Sequence, residues 1–314
     1  MKPRHKINLF AIVLSCLFLS GCSSANENYQ KINKLPDNLT ADNLTHSGKV
    51  ESVSYTTRDY INSTSAEETK KCNVYLPFNY DSGKQYNIFY LLHGTDPMSV
   101  VHENTWLYTM QAKNILDNMI DDKLIDPIIV VTPNIYSYGL YGDDDMTNIK
   151  EATPVKVNST KNFPFELVQD ILPAVEGKYH TYSPSVDSSS LKQGRDHRAL
   201  GGLSLGARIT LQTGFFTGYE YFSCFGAYSS SIDSQLILDS ITKSEYSKLD
   251  VSFLTLSAGI YDFAYNGEKK MYDRLLENEK FTKKNTEFID IPFGYHSKRS
   301  WQIGFYSSLL NFFR

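Results

Sequence analysis

A serine between two glycines is the first candidate for chemistry. Residues 202–206 read Gly-Leu-Ser-Leu-Gly, a G-x-S-x-G pattern. The run Arg198–Gly202 before it predicts a short strand, and Leu205–Thr217 after it predicts a helix. Between a strand and a helix, the pattern is typical of a nucleophile elbow, a tight turn that exposes the serine. The helix N-terminus would place positive dipole beside an oxyanion that develops at Ser204. A glycine-lined structural turn is the alternative interpretation.

A serine nucleophile needs a base, and position along the chain selects His296. It follows the last predicted strand and precedes the last predicted helix, where a loop can carry an imidazole over the sheet edge. Asp262 follows a strand and lies between Ser204 and His296, the order typical of such hydrolases. There a carboxylate can hold the imidazole in the right tautomer. Asp273 and Asp290 are the rivals, and we interpret both as solvated charges inside a helix and a strand.

The oxyanion of an acyl-transfer reaction needs two backbone N–H groups. Leu205, directly after the serine, is predicted to supply one of them. Thr95 is predicted to supply the other, because it begins the loop after the apolar strand that ends at His93-Gly94. That loop continues with Asp96-Pro97, where many hydrolases carry a glycine-rich run. We interpret His93 as structural.

The rest of the chain must supply the elements that hold these residues. Over residues 48–314, predicted strands and helices alternate, which is typical of βαβ units around a mostly parallel sheet. One helix is predicted over Trp106–Ile120. Another is predicted over Phe165–Tyr179, with Pro164 suited to its first turn and Pro173 at a kink or break. The pattern therefore predicts a single α/β domain.

The N-terminal residues are predicted to be a targeting signal rather than part of that domain. Positive charges precede an apolar run that ends Leu19-Ser20-Gly21-Cys22, which resembles a bacterial lipobox. We predict a signal peptide over 1–21, a lipid on the sulfur of Cys22, and a flexible polar tether over 22–47. The protein would then be lipid-anchored to the bacterial cell membrane, outside the cytoplasm. A plain secretion signal or an uncleaved anchor is the alternative.

Composition excludes several classes of protein. Of 314 residues, 31 are Lys or Arg and 35 are Asp or Glu, so the net charge of −4 gives nucleic-acid binding no electrostatic basis. The 41% of hydrophobic residues suffices for a sizeable core. Cys72 and Cys224 are predicted to be buried free thiols, with a disulfide as the alternative. Their spacing suggests no metal site, and we predict neither a metal nor an organic cofactor.

Several segments together resemble one known family. In chain order they are Tyr90-Leu91-Leu92-His93-Gly94, Ile128–Pro133, the helix leading to Tyr182, His197–Gly206, Tyr261–Tyr265 and Gly294-Tyr295-His296. They are similar to carbohydrate esterase family 1 of the α/β-hydrolases, which includes feruloyl esterases and esterase D. The resemblance runs from about residue 70 to the C-terminus. It implies an α/β-hydrolase fold, a mostly parallel central sheet with helices on both faces. It also implies that Ser204 is the nucleophile, His296 the base and Asp262 the orienting acid.

The resemblance implies a serine carboxylesterase that hydrolyses feruloyl or p-coumaroyl esters on the arabinose side chains of xylan. An acyl-enzyme would form on Ser204. Acetyl-xylan or general carboxylester hydrolysis is the alternative, and acyl transfer to a sugar is a variant. A catalytically idle glycan-binding lipoprotein is a different class. The expected partners are a small-molecule or polysaccharide ester and, through Cys22, a membrane. The sequence does not determine the oligomeric state.

Overall fold

The domain is built around one eight-stranded sheet. The structure, a computed structural model, describes residues 32–43, 45–60, 67–95, 101–137, 154–246 and 248–314. The strands are β1 (Lys49–Arg58), β2 (Glu67–Leu76), β3 (Asn87–Leu92), β4 (Ile128–Pro133), β5 (Arg198–Leu203), β6 (Cys224–Tyr228), β7 (Phe253–Gly259) and β8 (Thr286–Ile291). Their order across the sheet is β1-β2-β4-β3-β5-β6-β7-β8. β1 and β2 pair antiparallel, as do β2 and β4, and all the other pairs are parallel. The mostly parallel sheet is confirmed.

Helices cover both faces of this sheet, as the resemblance implies. They are α1 (Ala112–Asp121), α2 (Pro154–Glu166), α3 (Leu172–Glu176), α4 (Ser188–Gln193), α5 (Leu205–Gln212), α6 (Ser234–Ile241), α7 (Tyr265–Leu275) and α8 (Lys298–Asn311). Side chains of α1 and α8 share one apolar cluster, and those of α3, α5, α6 and α7 share the other. Because side chains alternate along a strand, β3 sends Phe89 and Leu91 into the first cluster and Tyr90 and Leu92 into the second.

Two predicted helices have different boundaries in the structure. α2 begins at Pro154, so Pro164 lies inside a helix and its predicted place in a first turn is wrong. A wider π-helical turn then leads into α3, which carries Pro173 in its first turn, where a missing N–H is tolerated. The helix predicted over Trp106–Ile120 is interrupted at Gln111, whose φ of 55° is left-handed. The carbonyl next to this interruption is satisfied by a distant glutamine of α8, a contact that local pattern cannot show.

Residues 32–43 and 45–47, predicted as part of the tether, pack on the domain instead. Leu39 lies in the apolar cluster of α1 and is 1% exposed. Asn118 of α1 donates its Nδ2 to the carbonyls of Ala41, at 2.8 Å, and Leu39, at 3.1 Å. The tether prediction is wrong for this part because α1 supplies partners for its backbone. The compact unit begins at Ile32. Residues 1–31, with the predicted signal and Cys22, lie outside the described residues.

A core substitution tests this docking of the N-terminal segment. Leu39→Ala is expected to lower the free energy of unfolding by about 2 kcal/mol or more, because it empties a buried site. Urea unfolding of the two proteins measures the difference. The exposed Asn38→Ala on the same turn is the matched control and should unfold like wild type. Equal stability of wild type and Leu39→Ala would show that the segment is free of the domain.

The two cysteines of the domain are free and buried, as predicted. Cys72 lies on β2 and Cys224 on β6, four strand spacings apart across the sheet. Four spacings amount to about 19 Å, far beyond the reach of a disulfide. No helix among the described ranges combines the length and the apolar character that a membrane span needs.

Candidate active site

Ser204 occupies a strained turn between β5 and α5. Its φ of 52° and ψ of −116° are unusual for any residue but glycine, and its N–H donates to the carbonyl of Tyr228 at 2.9 Å. A Cβ at Gly206 would lie 2.3 Å from the carbonyl oxygen of His93, and one at Gly202 would lie 2.6 Å from the backbone of Gly206. Only glycine fits either position. The G-x-S-x-G segment therefore has the geometry of a nucleophile elbow.

The structure brings the three predicted catalytic residues together, and we call them the triad. Nε2 of His296 lies 2.9 Å from Oγ of Ser204. Nδ1 of His296 lies 3.0 Å and 3.1 Å from the two carboxylate oxygens of Asp262. An ionised carboxylate can only accept, so Nδ1 carries the proton and Nε2 is left to accept from the serine. This is the arrangement that general-base activation of a serine requires.

The rival carboxylates lie elsewhere and have other partners. Asp273 pairs with Lys269 one turn earlier on α7. Asp290 lies on β8 and accepts a hydrogen bond from the Tyr265 hydroxyl at 2.7 Å. Both are in the predicted elements, and neither is the carboxylate that reaches His296.

Hydrogen bonds keep Asp262 ionised. Burial acts to raise the pKa of this carboxyl. Hydrogen bonds from His296, from the N–H of Ala264 at 2.9 Å and from Ser229 outweigh burial and hold the pKa below its ordinary value. The charged form is therefore present at neutral pH, where it stabilises an imidazolium at His296.

The loops that carry the acid and the base are joined to each other. A Cβ at Gly259 would lie 2.2 Å from the carbonyl carbon of Gly294, so the two backbones touch where the loops begin. The N–H of Tyr261 donates to the carbonyl of Gly294 at 2.9 Å, and that of Ile260 donates to Ile291 at 3.1 Å. These contacts fix the distance between the carboxylate and the imidazole.

Three further side chains orient the triad. Ser229, at the end of β6, has a φ of 65° and is buried. Its hydroxyl donates to Asp262 and accepts from Nε1 of Trp301 at 3.0 Å. The Trp301 ring meets the His296 ring edge-on, with 5.1 Å between the ring centres. The Phe263 ring packs on the His296 ring, with 4.4 Å between their centres. Sequence reasoning assigned no role to Ser229 or Phe263. Their signal is position, since both follow the carboxyl end of a central strand.

One predicted oxyanion donor directly follows Ser204, and the other belongs to the loop after β3. Leu205 is the first residue of α5, so its N–H has no acceptor within the helix. Thr95 is exposed and follows Gly94, where an added Cβ would lie 3.3 Å from Cβ of Ser204. The loop therefore passes directly beside the nucleophile. The assignment of the second N–H to Thr95 stays a prediction, and Asp96 and Pro97 lie outside the described residues.

His93 holds the start of this loop and is not part of the triad. Its Nδ1 donates to the carbonyl of Gly94 at 2.8 Å, while its Nε2 accepts from the N–H of Ile135 at 3.1 Å. Burial, and next the stacked ring of His102, lower the pKa of His93 to about 3. The neutral imidazole thus ties the loop after β3 to the loop after β4. Within the described ranges, no group of three or more His, Cys, Asp or Glu residues could hold a metal ion.

Comparisons with known proteins identify the family of the chain. The model of the family described as "Putative esterase" matches residues 63–309. Over 148 residues the chain is 36% identical to endo-1,4-beta-xylanase Y of Acetivibrio thermocellus, a match that covers 47% of this chain and only 12% of that protein. A feruloyl esterase module from Clostridium thermocellum, solved as a serine-to-alanine mutant complexed with sinapinate, superimposes with a TM-score of 0.75. It is 26% identical, and the match covers 90% of this chain and 94% of that one.

A more distant structure shares the fold. A CE1 ferulic acid esterase from the anaerobic fungus Anaeromyces mucronatus superimposes with a TM-score of 0.68 at 21% identity, over 90% of this chain and 97% of that one. Because the family model covers most of the chain, and because the fold is that of α/β-hydrolase esterases, the protein belongs to this esterase family and is a carboxylic ester hydrolase.

Proposed function

We propose that the protein is a serine esterase that releases hydroxycinnamoyl groups, such as ferulate, from the arabinose side chains of xylan. The observation that carries the reaction class is the hydrogen-bonded Ser204–His296–Asp262 series, with joining distances of 2.9 Å and 3.0 Å. Likeness to a feruloyl esterase module over 90% of the chain supports the acyl group. Likeness to part of a xylanase supports xylan as its carrier.

The reaction follows from the positions of the side chains. Oγ of Ser204 attacks the ester carbonyl carbon while Nε2 of His296 takes the hydroxyl proton. The negative oxygen of the tetrahedral intermediate is held by the N–H of Leu205 and, in this proposal, by that of Thr95. The bond to the alcohol oxygen then breaks, and the imidazolium gives that oxygen its proton. Water attacks the acyl-enzyme by the same route, and the free acid leaves. Asp262 stays ionised throughout.

Two alternatives compete with this function. An acetyl-xylan or general carboxylesterase would use the same triad on another acyl group. A catalytically idle glycan-binding protein would not need Ser204 held at 2.9 Å from an imidazole.

We also propose that a lipid on Cys22 anchors the domain outside the cytoplasmic membrane, which the lipobox-like segment supports.

The first experiment compares two esters. The chain from Ser24 onward is assayed on methyl ferulate and on p-nitrophenyl acetate, with Ser204→Ala as the control. We expect ferulate release that is lost in the variant. Hydrolysis of the acetate alone would support the esterase reaction but would reject the hydroxycinnamoyl group as its substrate. A folded protein without activity on either ester would contradict both.

A further inference from the structure

Four exposed aromatic side chains lie on the two loops that carry Asp262 and His296. The exposed fractions are 82% for Phe263, 75% for Phe293, 61% for Tyr295 and 55% for Tyr261. Within the part of the chain that the structure describes, these are the four most exposed aromatic residues. We call them the aromatic platform. A single exposed apolar side chain is ordinary, but a cluster of four marks a binding surface.

The platform stands on two joined loops, and one of its rings contacts the imidazole of His296. It is built on the loops after β7 and β8, which the backbone bond from Tyr261 to Gly294 joins. The rings of Tyr261 and Tyr295 lie 5.3 Å apart. The ring of Phe263 lies 4.4 Å from the imidazole of His296. The contacts within these loops fix their backbones, so the rings are presented on a rigid base.

The chemistry decides which half of the ester this surface meets. After Ser204 has attacked, Nε2 of His296 must hand its proton to the departing alcohol oxygen. The alcohol half of the ester therefore lies beside the imidazole. Because Phe263 packs on that imidazole, the part of the substrate that bears the alcohol oxygen lies next to the platform.

Aromatic faces without charge suit a neutral carbohydrate. A sugar ring presents a flat face of C–H groups that packs on the electron-rich face of an aromatic ring, and tyrosine adds a hydroxyl for the polar edge. We propose that the aromatic platform binds the glycan chain that bears the ester. This inference rests on the proposed function and names the residues that recognise its alcohol side.

The test uses Tyr261→Ala, Phe293→Ala and Tyr295→Ala, and it leaves out Phe263, which packs on the base. For each protein, kcat/KM is measured on a feruloylated arabinoxylo-oligosaccharide and on methyl ferulate, and the ratio of the two values is compared. Loss of one stacking ring should lower this ratio about tenfold, mainly through KM for the oligosaccharide. Tyr295→Phe keeps the ring and loses only the hydroxyl, so its ratio should fall less than that of Tyr295→Ala.

A binding measurement separates this inference from the activity. The same substitutions are placed in the Ser204→Ala protein, and binding of xylohexaose is measured by calorimetry. Weaker binding in the alanine variants supports the platform even if ferulate is not the acyl group.

Three results would overturn the inference. One is an unchanged ratio of kcat/KM in the alanine variants. Another is binding of xylohexaose that does not depend on the three rings. The third is that the alanine variants lose binding to vesicles of phosphatidylcholine and phosphatidylglycerol but still bind xylohexaose like the parent protein. That result would assign the rings to a membrane surface.

Discussion

Ser204→Ala is expected to lower kcat/KM by between about 10⁴-fold and 10⁶-fold on any ester that the protein hydrolyses. The variant removes the atom that forms the acyl-enzyme, so the remaining donors can only assist direct attack by water. Steady-state kinetics on methyl ferulate or p-nitrophenyl acetate gives the ratio. A fluorophosphonate probe should label the wild-type protein and leave the variant unlabelled, because the probe reacts with an activated serine.

The control for this variant is a serine elsewhere. Ser52→Ala, on an exposed position of β1, should retain wild-type kinetics and labelling. Ser204→Ala should still fold, because Ala adds no atoms to the turn. A folded Ser204→Ala protein that keeps a hundredth of the wild-type rate would place the nucleophile elsewhere.

Asp262→Asn is expected to lower kcat by about 10⁴-fold at neutral pH while the shape of the site is retained. The amide can donate to Nδ1 of His296, which then carries no proton. Nε2 then holds the proton and cannot accept from Ser204 at 2.9 Å. Asp273→Asn, an exposed pair member on α7, is the matched control and should lose little activity. A near-normal rate in Asp262→Asn would require another carboxylate to orient the base.

The same carboxyl makes stability depend on pH in a defined direction. Its pKa in the folded protein is below the ordinary value, so the folded state binds this proton less tightly than the unfolded chain. The stabilisation is present above the unfolded pKa of about 3.9 and is lost as the pH falls through the folded value. The Tm of wild type should therefore exceed that of Asp262→Asn at pH 7, and the difference should shrink toward pH 3.

The triad could be predicted from the sequence because each member follows a strand in a parallel sheet. The carboxyl ends of such strands meet at one edge, so Ser204, Asp262 and His296 converge there although up to 92 residues separate them. Ser229 also follows a strand at this edge, so its position could be predicted from the sequence but its role could not. Its role depends on a hydrogen bond from Trp301, 72 residues later, and no local pattern carries that contact.

Short helices and the N-terminal segment were harder to predict for a related reason. The amphipathic pattern of α4 and α6 extends over only 6 and 8 residues, too few for a clear period. Residues 32–47 have the polar composition of a linker, but Asn114 and Asn118 bind their backbone carbonyls. Composition does not record whether a partner exists elsewhere in the chain.

Because its two free thiols are buried, the domain can be labelled selectively at a cysteine introduced on its surface. Burial raises the pKa of Cys72 to about 12 and that of Cys224 to about 11, so at pH 7.5 both stay protonated and shielded from maleimides. In the chain from Ser24 onward these are the two native cysteines. A Phe293→Cys variant would therefore take up one dye at one place, on the loop that carries His296. Its emission would follow the arrival and departure of ligand in real time.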